Sequence, residues 1–457
     1  MAGGRQTEQW SSRAGFLMAA IGFAVGLGNV WRFPYVMGEN GGAAFLFVYL
    51  VCALVIALPL LVSELAIGRR GRGSPVGSML KVAAESGASS RWRLVGGLAV
   101  VGIFFIMSYY TVIAGWTFDY FFLAITGRFA DVTGEQSGRI FAALTGSPLR
   151  LLFWNTLVNI LVVVILRRGV QAGIEKAVNF LMPALFICLL VMVIYAFFAG
   201  DMAKTVQFLL LPDFSKVTVH TVMVAIGQAF FSIGVGMASL ITFGSYLGEE
   251  VSIPKSAAII ILADTAVALL AGFAIFPLVF AYGLEPSEGP GLIFQTLPVA
   301  FGQMPGGQIF GAIFFFLLIA AALTSCIGGI ESVIAWADEH KGIARKKGSL
   351  IAGSAAWLVG FLSILSFNKW SDFYPLDFIP AFAGKTIFET FDFLAANILL
   401  LVGALATSIF IGWRVPKYIK LAAIGVGDGI FYLFWRIIVC YVVPPLLLVI
   451  LVMGLME

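Results

Sequence analysis

Charge and histidine are scarce in this chain of 457 residues. Charged residues make up 11% of the sequence, and there are only two histidines, His220 and His340. The sequence therefore offers few residues for a zinc site or a histidine-based catalytic triad. It also contains no convincing pair of nucleophile and base that would indicate an enzyme. Hydrophobic residues make up 60%, which is too apolar for a protein surface in water. The composition indicates a chain embedded in lipid.

Cysteine is also rare, and its positions do not indicate a disulfide framework. Cys52, Cys188, Cys326 and Cys440 all fall inside apolar stretches, where a thiol usually behaves as a small core hydrophobe. The formal net charge of +4 is accounted for by basic loops between these stretches. Neither feature indicates binding to nucleic acid.

Long apolar stretches are the main feature of this sequence. Each is close to the roughly 20 residues that a helix needs to cross a bilayer, and strand-like alternation is missing. Because lipid offers no partners for backbone groups, spans of this length must be helices. The sequence predicts an all-α polytopic membrane protein with eleven spans, at residues 13–38, 42–68, 94–126, 150–168, 174–199, 220–247, 257–283, 306–338, 349–367, 387–412 and 429–454.

The distribution of basic residues predicts the orientation. With residues 1–12 as a cytoplasmic tail, the basic residues of the loops concentrate inside, as the positive-inside rule requires. With eleven spans, Glu457 then lies outside. The first span is too long for the apolar core of a signal peptide. The basic residues placed inside are Arg69, Arg70, Arg72, Arg91, Arg93, Arg167, Arg168, Arg345, Lys346, Lys347, Arg414 and Lys417.

Two spans carry glycine-rich middles where a membrane helix is usually most regular. Gly22 to Asn29 interrupts the first span, and Phe231 to Met237 interrupts the sixth. Interruptions at matching places in two five-helix halves indicate inverted repeats, here residues 13–199 and 220–412, with a binding site between them. The eleventh helix, 429–454, lies outside the repeats. The alternative is that these glycines only let helices pack closely.

Five ionisable residues lie inside apolar spans, where they are costly and tend to mark function. They are Arg32, Glu64, Asp264, Glu331 and Asp392. The alternative for each is a structural ion pair, and the sequence assigns no role to Glu331.

The sequence resembles the neurotransmitter sodium symporters, and among them the bacterial amino acid:sodium symporters with the leucine-transporter fold. This resemblance implies a multi-pass protein of the bacterial inner membrane that takes up an amino acid with sodium. Gly173 and Pro183 resemble a motif that lets the fifth helix unwind in bacterial members. The resemblance rests on Gly26-Leu-Gly28-Asn29-Val-Trp31-Arg32-Phe33-Pro34-Tyr35, Asn40-Gly41-Gly42-Ala-Ala-Phe45, Pro59-Leu-Leu-Val-Ser-Glu64, Gly68-Arg69, Tyr109-Tyr110, Gln228-Ala-Phe-Phe231-Ser232 and Leu323-Thr324-Ser325.

The resemblance implies two sodium sites. The second site would use the carbonyls of Gly22, Val25 and Ala321 with the hydroxyls of Thr324 and Ser325; the first would use the Ala24 carbonyl, Asn29, Ser232, Asp264 and the carboxylate of the substrate. A dehydrated sodium ion needs several hard oxygens, which a broken helix supplies. The alternative is that Thr324 and Ser325 bond to carbonyls of their own helix.

The resemblance also implies how an amino acid would bind. Its carboxylate would meet Tyr110 and the amides near Leu27 and Gly28, and its amino group would meet carbonyls near Ala24, Phe231 and Ser232. The side-chain pocket contains no acid or base, which excludes charged substrates and favours large neutral ones, including aromatic ones. Its lining would be Ile106, Tyr110, Phe231, Gly234, Met237, Ser325 and Gly329.

Two gates follow from the same resemblance. Arg32 and Asp392 would pair conditionally at the outer gate. Trp10, Tyr246 and Glu339 resemble parts of the inner gate, but Thr7 replaces the arginine that is usual there. Arg5 is a candidate to reach Glu339 in its place.

Chloride dependence is not expected. Animal members bind chloride at positions matching Tyr49, Gln228, Ser232, Asp264 and Ala268, where the last two are an asparagine and a serine. Here Asp264 can supply the negative charge that two sodium ions require. The alternatives are that Asp264 stays protonated, or that it takes up a proton after sodium leaves, which would give proton antiport.

A channel or an amino acid sensor with the same fold is the alternative function. A channel should have a continuous polar lining, whereas polarity in this sequence concentrates at the middle of the spans, which favours alternating access. Nothing in the sequence indicates an obligate protein partner.

Overall fold

A computed structural model describes residues 8–284 and 291–456. This part of the chain contains helices and no strands, which confirms the predicted all-α class. Nine of its helices are long and apolar enough to cross a membrane, and a tenth span is a pair of helices bent by 47°. The sixth predicted span is also broken, and each of its two helices is too short to cross a membrane alone.

We number the spans along the chain. Span 1 is Arg13–Ala24 with Gly28–Glu39, span 2 Ala43–Gly71, span 3 Ser90–Ile125, span 4 Pro148–Leu166, span 5 Val170–Ala199, span 7 Ile253–Ala281, span 8 Gly307–Lys341, span 9 Arg345–Ser366, span 10 Ile387–Arg414 and span 11 Ile430–Leu455. Span 6 is Val219–Ile233 with Ser239–Ser245. Shorter helices between the spans are Pro75–Glu85, Gly134–Thr145, Met202–Leu210, Leu292–Thr296, Leu297–Gln303 and Lys417–Ile424. The inner end of the bundle is the end where Glu8 lies, and the outer end is the opposite one.

Span 1 breaks at Val25 and Gly26. Val25 has ψ of 87°, which ends the first helix. Gly26 lies so close to span 8 that a Cβ atom would be 2.5 Å from the Ser325 hydroxyl oxygen. A side chain at this position would require Ser325 or Tyr110 to move. The chain then resumes in a π-helical turn, Gly28–Arg32, and Pro34 enters the first turn of the next helix, where its missing N–H costs nothing.

The break in span 6 needs backbone conformations that most residues avoid. Gly234, Gly236 and Ala238 have φ angles of +75°, +84° and +67°. The left-handed region costs a non-glycine residue roughly 1–2 kcal/mol, so Ala238 is strained. The freed N–H of Gly236 donates to the Glu64 carboxylate at 2.6 Å, which assigns this buried acid of span 2 to holding the break.

Spans 3 and 8 form the centre of the bundle and pack against each other along their lengths. Span 8 presents small residues to span 1, and a Cβ atom on Gly328 would lie 2.7 Å from the Phe23 ring. Small residues at helix contacts let backbones approach closely in membranes. Spans 3 and 8 therefore hold the break of span 1 in place.

Replacing Gly234 by alanine should destabilise the fold. Its φ is positive, and the new Cβ atom would lie 2.5 Å from Phe23, so we expect a loss of about 1–3 kcal/mol. Gly227 is the matched control, because it lies in the regular helix of span 6 and a Cβ atom there meets nothing within 4 Å. Gly227→Ala should be neutral or stabilising, since alanine favours helix. Thermal unfolding in detergent measures both, and equal midpoints for the two variants would contradict the strained break.

Candidate substrate and sodium site

A cavity of about 570 Å³ extends from the outer helices Gly134–Thr145 and Leu292–Thr296 to the break of span 1. Of the residues predicted to bind substrate, the cavity contacts Leu27, Gly28, Tyr110 and Phe231. The two residues predicted to form the outer gate, Arg32 and Asp392, also line it. The cavity therefore connects the predicted outer gate with the outer part of the predicted substrate site.

The residues predicted for the first sodium site meet in one buried cluster between the two breaks. The Asn29 amide donates to Asp264 Oδ1 at 2.8 Å and to the Ser232 hydroxyl at 3.0 Å. The Ser232 hydroxyl in turn donates to Asp264 Oδ2 at 2.7 Å. Ala24 is the last residue of its helix, so its carbonyl lies at the same break. Span 7 thus places one carboxylate against both broken spans.

In the described part of the chain, the Asp264 carboxylate has hydrogen-bond donors but no cationic partner. Besides Asn29 and Ser232, the Tyr49 hydroxyl donates to Oδ2 at 3.1 Å. Among the described residues, no arginine, lysine or histidine lies within 4.0 Å of it. A buried carboxylate is costly when no cation balances it. An arrangement of hard oxygens around such a group can hold a monovalent cation.

The residues predicted for the second sodium site face each other across spans 1 and 8. A Cβ atom on Gly22 would lie 3.2 Å from Thr324 Cβ, and the Ser325 hydroxyl donates to the Phe23 carbonyl at 3.0 Å. Thr324 also donates to carbonyls of its own helix, Ala320 and Ala321, each at 3.0 Å. This is the bonding that the alternative explanation anticipated. A hydroxyl that donates its proton still has lone pairs to offer.

Tyr110 contacts the break at the position predicted for the substrate carboxylate. The Leu27 N–H donates to its hydroxyl oxygen at 2.9 Å. The deeper part of the predicted pocket is filled by side chains in this structure. Ile106, Gly234, Met237, Ser325 and Gly329 are buried and are not among the cavity's lining residues.

Two residues that sequence reasoning missed close this deeper part. A Cβ atom on Gly329 would lie 2.7 Å from Cγ of Met107, and one on Gly234 would meet the Phe23 ring. Gly234 and Gly329 therefore do not open free space by themselves, because neighbouring side chains occupy it. No motif marks Met107 or Phe23, since both resemble ordinary core residues of an apolar helix.

The predicted outer-gate pair is separated. Among the described residues, the ion pairs within 4.0 Å do not include Arg32 with Asp392. The Arg32 guanidinium lies over the Phe231 ring, 4.7 Å from its centroid. Asp392 instead accepts a hydrogen bond from the Tyr109 hydroxyl at 2.8 Å. The predicted contact between Arg32 and Asp392 is therefore not formed in this structure.

At the inner end, Trp10 closes the bundle beneath the breaks. Its indole N–H donates to the Phe243 carbonyl at 3.0 Å, and its ring packs edge-on against Phe243 and Tyr246. The Tyr246 hydroxyl donates to Glu331 at 2.7 Å. Trp10 and Tyr246 are therefore brought together as predicted.

Two acids at the inner end have partners that the sequence did not suggest. Glu331 forms a bidentate pair with Arg345, at 2.9 and 2.6 Å, so this buried acid anchors the start of span 9. Glu339 accepts from the Ser74 N–H at 2.6 Å. Arg5 and Thr7 lie outside the described residues, so pairing of Arg5 with Glu339 stays a prediction.

The N-terminal segment also holds the start of span 5. The Ser11 N–H and hydroxyl donate to the two oxygens of the buried Glu175, at 2.7 and 2.5 Å. Glu175 belongs to the π-helical turn Val170–Glu175, which contains Gly173, and Pro183 lies further along the same span. The turn predicted to unwind is thus joined to the segment that closes the inner end.

The fold and the site define a class of protein: a multi-span membrane protein with two broken helices around a buried carboxylate. The sequence matches the model of the Sodium:neurotransmitter symporter family over residues 7–137 and 147–457. The chain belongs to this family. The expectations of a sodium-dependent symporter and of a transporter rather than an enzyme are confirmed by this membership.

Individual relatives agree. The chain is 36% identical to the sodium-dependent transporter YhdH of Bacillus subtilis, over 97% of this chain and 96% of that protein. It is 28% identical to the sodium-dependent serotonin transporter of Drosophila melanogaster, over 99% of this chain and 77% of that one. Among solved structures, it is similar to MhsT in complex with L-phenylalanine, with 38% identity, a TM-score of 0.90, and coverage of 99% of this chain and 100% of MhsT.

Proposed function

We propose that this protein takes up large neutral amino acids, aromatic ones included, together with two sodium ions by alternating access. The main support is the buried cluster of Asn29, Ser232 and Asp264, which lies between the two broken spans and next to a cavity that reaches Tyr110. The similarity to MhsT, whose structure contains L-phenylalanine, supports an amino acid substrate.

Coupling follows from a shared ligand. The amino acid carboxylate would lie between Tyr110 and the amides of Leu27 and Gly28, and it would complete the oxygen shell of the ion at Asn29 and Asp264. The freed N–H groups of a broken helix favour an anion at this place. Neither sodium nor substrate binds well alone, because each supplies charge that the other needs. The second ion, at Thr324 and Ser325, would brace spans 1 and 8.

The selectivity for neutral substrates has a simple physical basis. The predicted pocket has Ile106, Phe231 and Met237 as an apolar lining, and its predicted lining residues include no acid or base that would pair with a charged side chain. Burying an unpaired charge costs several kcal/mol or more. Met107 can rotate away from Gly329, because an unbranched thioether side chain adapts to its surroundings. The pocket would then accept a large side chain.

Purified protein in liposomes should accumulate labelled phenylalanine when sodium is higher outside. Accumulation above the external concentration requires coupling, and neither a channel nor a sensor can produce it. Collapse of the sodium gradient with an ionophore should abolish accumulation, and alanine and glutamate should compete less well than leucine. Uphill uptake that persists without sodium would disprove the coupling.

Gly329→Ile should narrow the side-chain pocket. The branched side chain would compete with Met107 for the same space. We therefore expect uptake of tryptophan to fall more than uptake of alanine, with a difference between the two losses of about 1–3 kcal/mol. Gly97→Ile is the matched control on span 3, because a Cβ atom there meets nothing within 4 Å. Initial uptake rates over a range of concentrations measure the change, and equal losses for both substrates would remove Gly329 from the pocket.

We also propose that transport needs no chloride. The hydroxyls of Tyr49 and Ser232 both donate to Asp264 Oδ2, so a carboxylate oxygen already takes the donors that a chloride ion would need. A chloride ion beside this oxygen would be repelled in a medium of low dielectric constant. Ala268 adds no further hydroxyl. Asp264 would balance the charge of the two sodium ions in place of chloride.

Replacing chloride by gluconate should therefore leave sodium-driven uptake by the unmodified protein unchanged. The double variant Asp264→Asn, Ala268→Ser removes the built-in charge and adds a donor, so its uptake should fail or become chloride-dependent. Ala268→Ser alone is the control and should stay independent of chloride. Loss of uptake by the unmodified protein in gluconate would overturn the role of Asp264 as the compensating charge.

A further inference from the structure

Asp392, the acid of the predicted outer gate, is held by Tyr109, which the sequence did not place in the gate. The Tyr109 hydroxyl donates to its Oδ1 atom at 2.8 Å. Tyr109 is almost fully buried, and its ring packs edge-on against Phe388, one helical turn before Asp392, with the centroids 5.4 Å apart. This packing fixes the direction of the hydroxyl, so the hydrogen bond keeps the carboxylate turned towards span 3.

Arg32, the other gate residue, is held elsewhere. Its guanidinium lies over the Phe231 ring at 4.7 Å, in a cation–π contact. Arg32, Phe231, Tyr109 and Asp392 all line the same cavity of about 570 Å³. Each charged residue of the pair therefore has its own aromatic partner in this cavity. For the gate to close, Arg32 must leave Phe231 and Asp392 must leave Tyr109, so that the two charged groups can pair.

Span 3 connects this exchange to the substrate site. Tyr110, the next residue, accepts a hydrogen bond from the Leu27 N–H at the break of span 1. Successive side chains of an α-helix point about 100° apart, so one helix can contact span 1 and span 10 through neighbouring tyrosines. The helix Arg93–Ile125 is continuous through both residues. One continuous helix therefore contacts the break of span 1 through Tyr110 and Asp392 through Tyr109.

We propose that Tyr109 is a positioning residue that keeps the outer gate open by holding Asp392 away from Arg32. This inference rests on the proposed transport function. A bidentate arginine–carboxylate pair uses both oxygens of the acid, so the pair forms only when Asp392 leaves the Tyr109 hydroxyl. The opposite possibility is that Tyr109 aligns Asp392 for Arg32, and it predicts the opposite effect of removing the hydroxyl.

Tyr109→Phe removes one oxygen atom and retains the ring that packs on Phe388. If Tyr109 holds the gate open, the variant should be closed more often. A cysteine introduced at Thr145, which lines the cavity, should then react with a bulky thiol reagent about two- to tenfold more slowly, the range expected for the loss of one hydrogen bond. The same protein without Thr145→Cys corrects for labelling of the four native cysteines. Faster or unchanged labelling would overturn the proposal.

A second variant background distinguishes two explanations: competition between Tyr109 and Arg32 for Asp392, and a purely structural role of the Tyr109 hydroxyl. In Arg32→Gln, Asp392 has no arginine to pair with, so adding Tyr109→Phe should not slow labelling further. An equal slowing in both backgrounds would mean that the hydroxyl acts through packing and would refute the proposal. Tyr195→Phe is the matched control, because its hydroxyl donates to the Pro305 carbonyl away from the cavity, and it should label like the parent.

Transport kinetics give an independent readout. A gate that closes more readily should lower the apparent KM for the amino acid and lower the maximal rate, because reopening becomes slower. A purely structural defect would lower the maximal rate alone, which would count against the proposal. Labelling of Thr145→Cys requires no transport, so the gate can be tested even if the uptake experiments overturn the proposed function.

Discussion

The architecture depends on satisfying the backbone groups that two broken helices release inside a membrane. Lipid offers these groups no hydrogen-bond partner, and each unsatisfied group costs several kcal/mol. In this protein the partners come from other spans. Glu64 accepts from Gly236, Tyr110 accepts from Leu27, and Gln228 donates to the Gly28 carbonyl. The breaks are therefore stable only within the assembled bundle.

The same constraint explains why the breaks and the predicted ion sites coincide. Asn29 accepts from the Gly26 N–H while donating to Asp264, and Ser325 donates to the Phe23 carbonyl. These side chains replace the hydrogen bonds of a regular helix, and they also present hard oxygens at the centre of the bundle. A site that binds a cation there needs no additional buried group, because the groups that hold the breaks supply the ligands.

The two ends of the bundle differ in how they are held. At the inner end, Trp10 is packed against span 6, and Glu331 pairs with Arg345 behind it. At the outer end, a cavity separates Arg32 from Asp392, and the contacts across it involve single side chains. Opening the inner end therefore requires many contacts to be exchanged together, including those of Ser11 with Glu175. The bundle thus has a cavity at its outer end and packed contacts at its inner end.

The sequence by itself determined the class of fold, the positions of the two breaks and the chemistry available at them. Apolar stretches of about 20 residues permit only helices in lipid, and the glycine-rich runs at Gly22–Asn29 and Phe231–Met237 lie where the helices break. The structure brought Asn29, Ser232 and Asp264 together, as their resemblance to a family site implied. These features are readable because they depend on local composition and on motifs.

Only the tertiary structure decided which side chains fill the remaining space and which partners the charged groups take. Met107 and Phe23 resemble ordinary core residues, and nothing in the sequence reveals that they close the pocket beside Gly329 and Gly234. Glu331 meets Arg345 and Asp392 meets Tyr109 because helices from distant parts of the chain cross at particular heights and rotations. Helical periodicity sets which residues share a face, but packing against the other spans sets what that face meets.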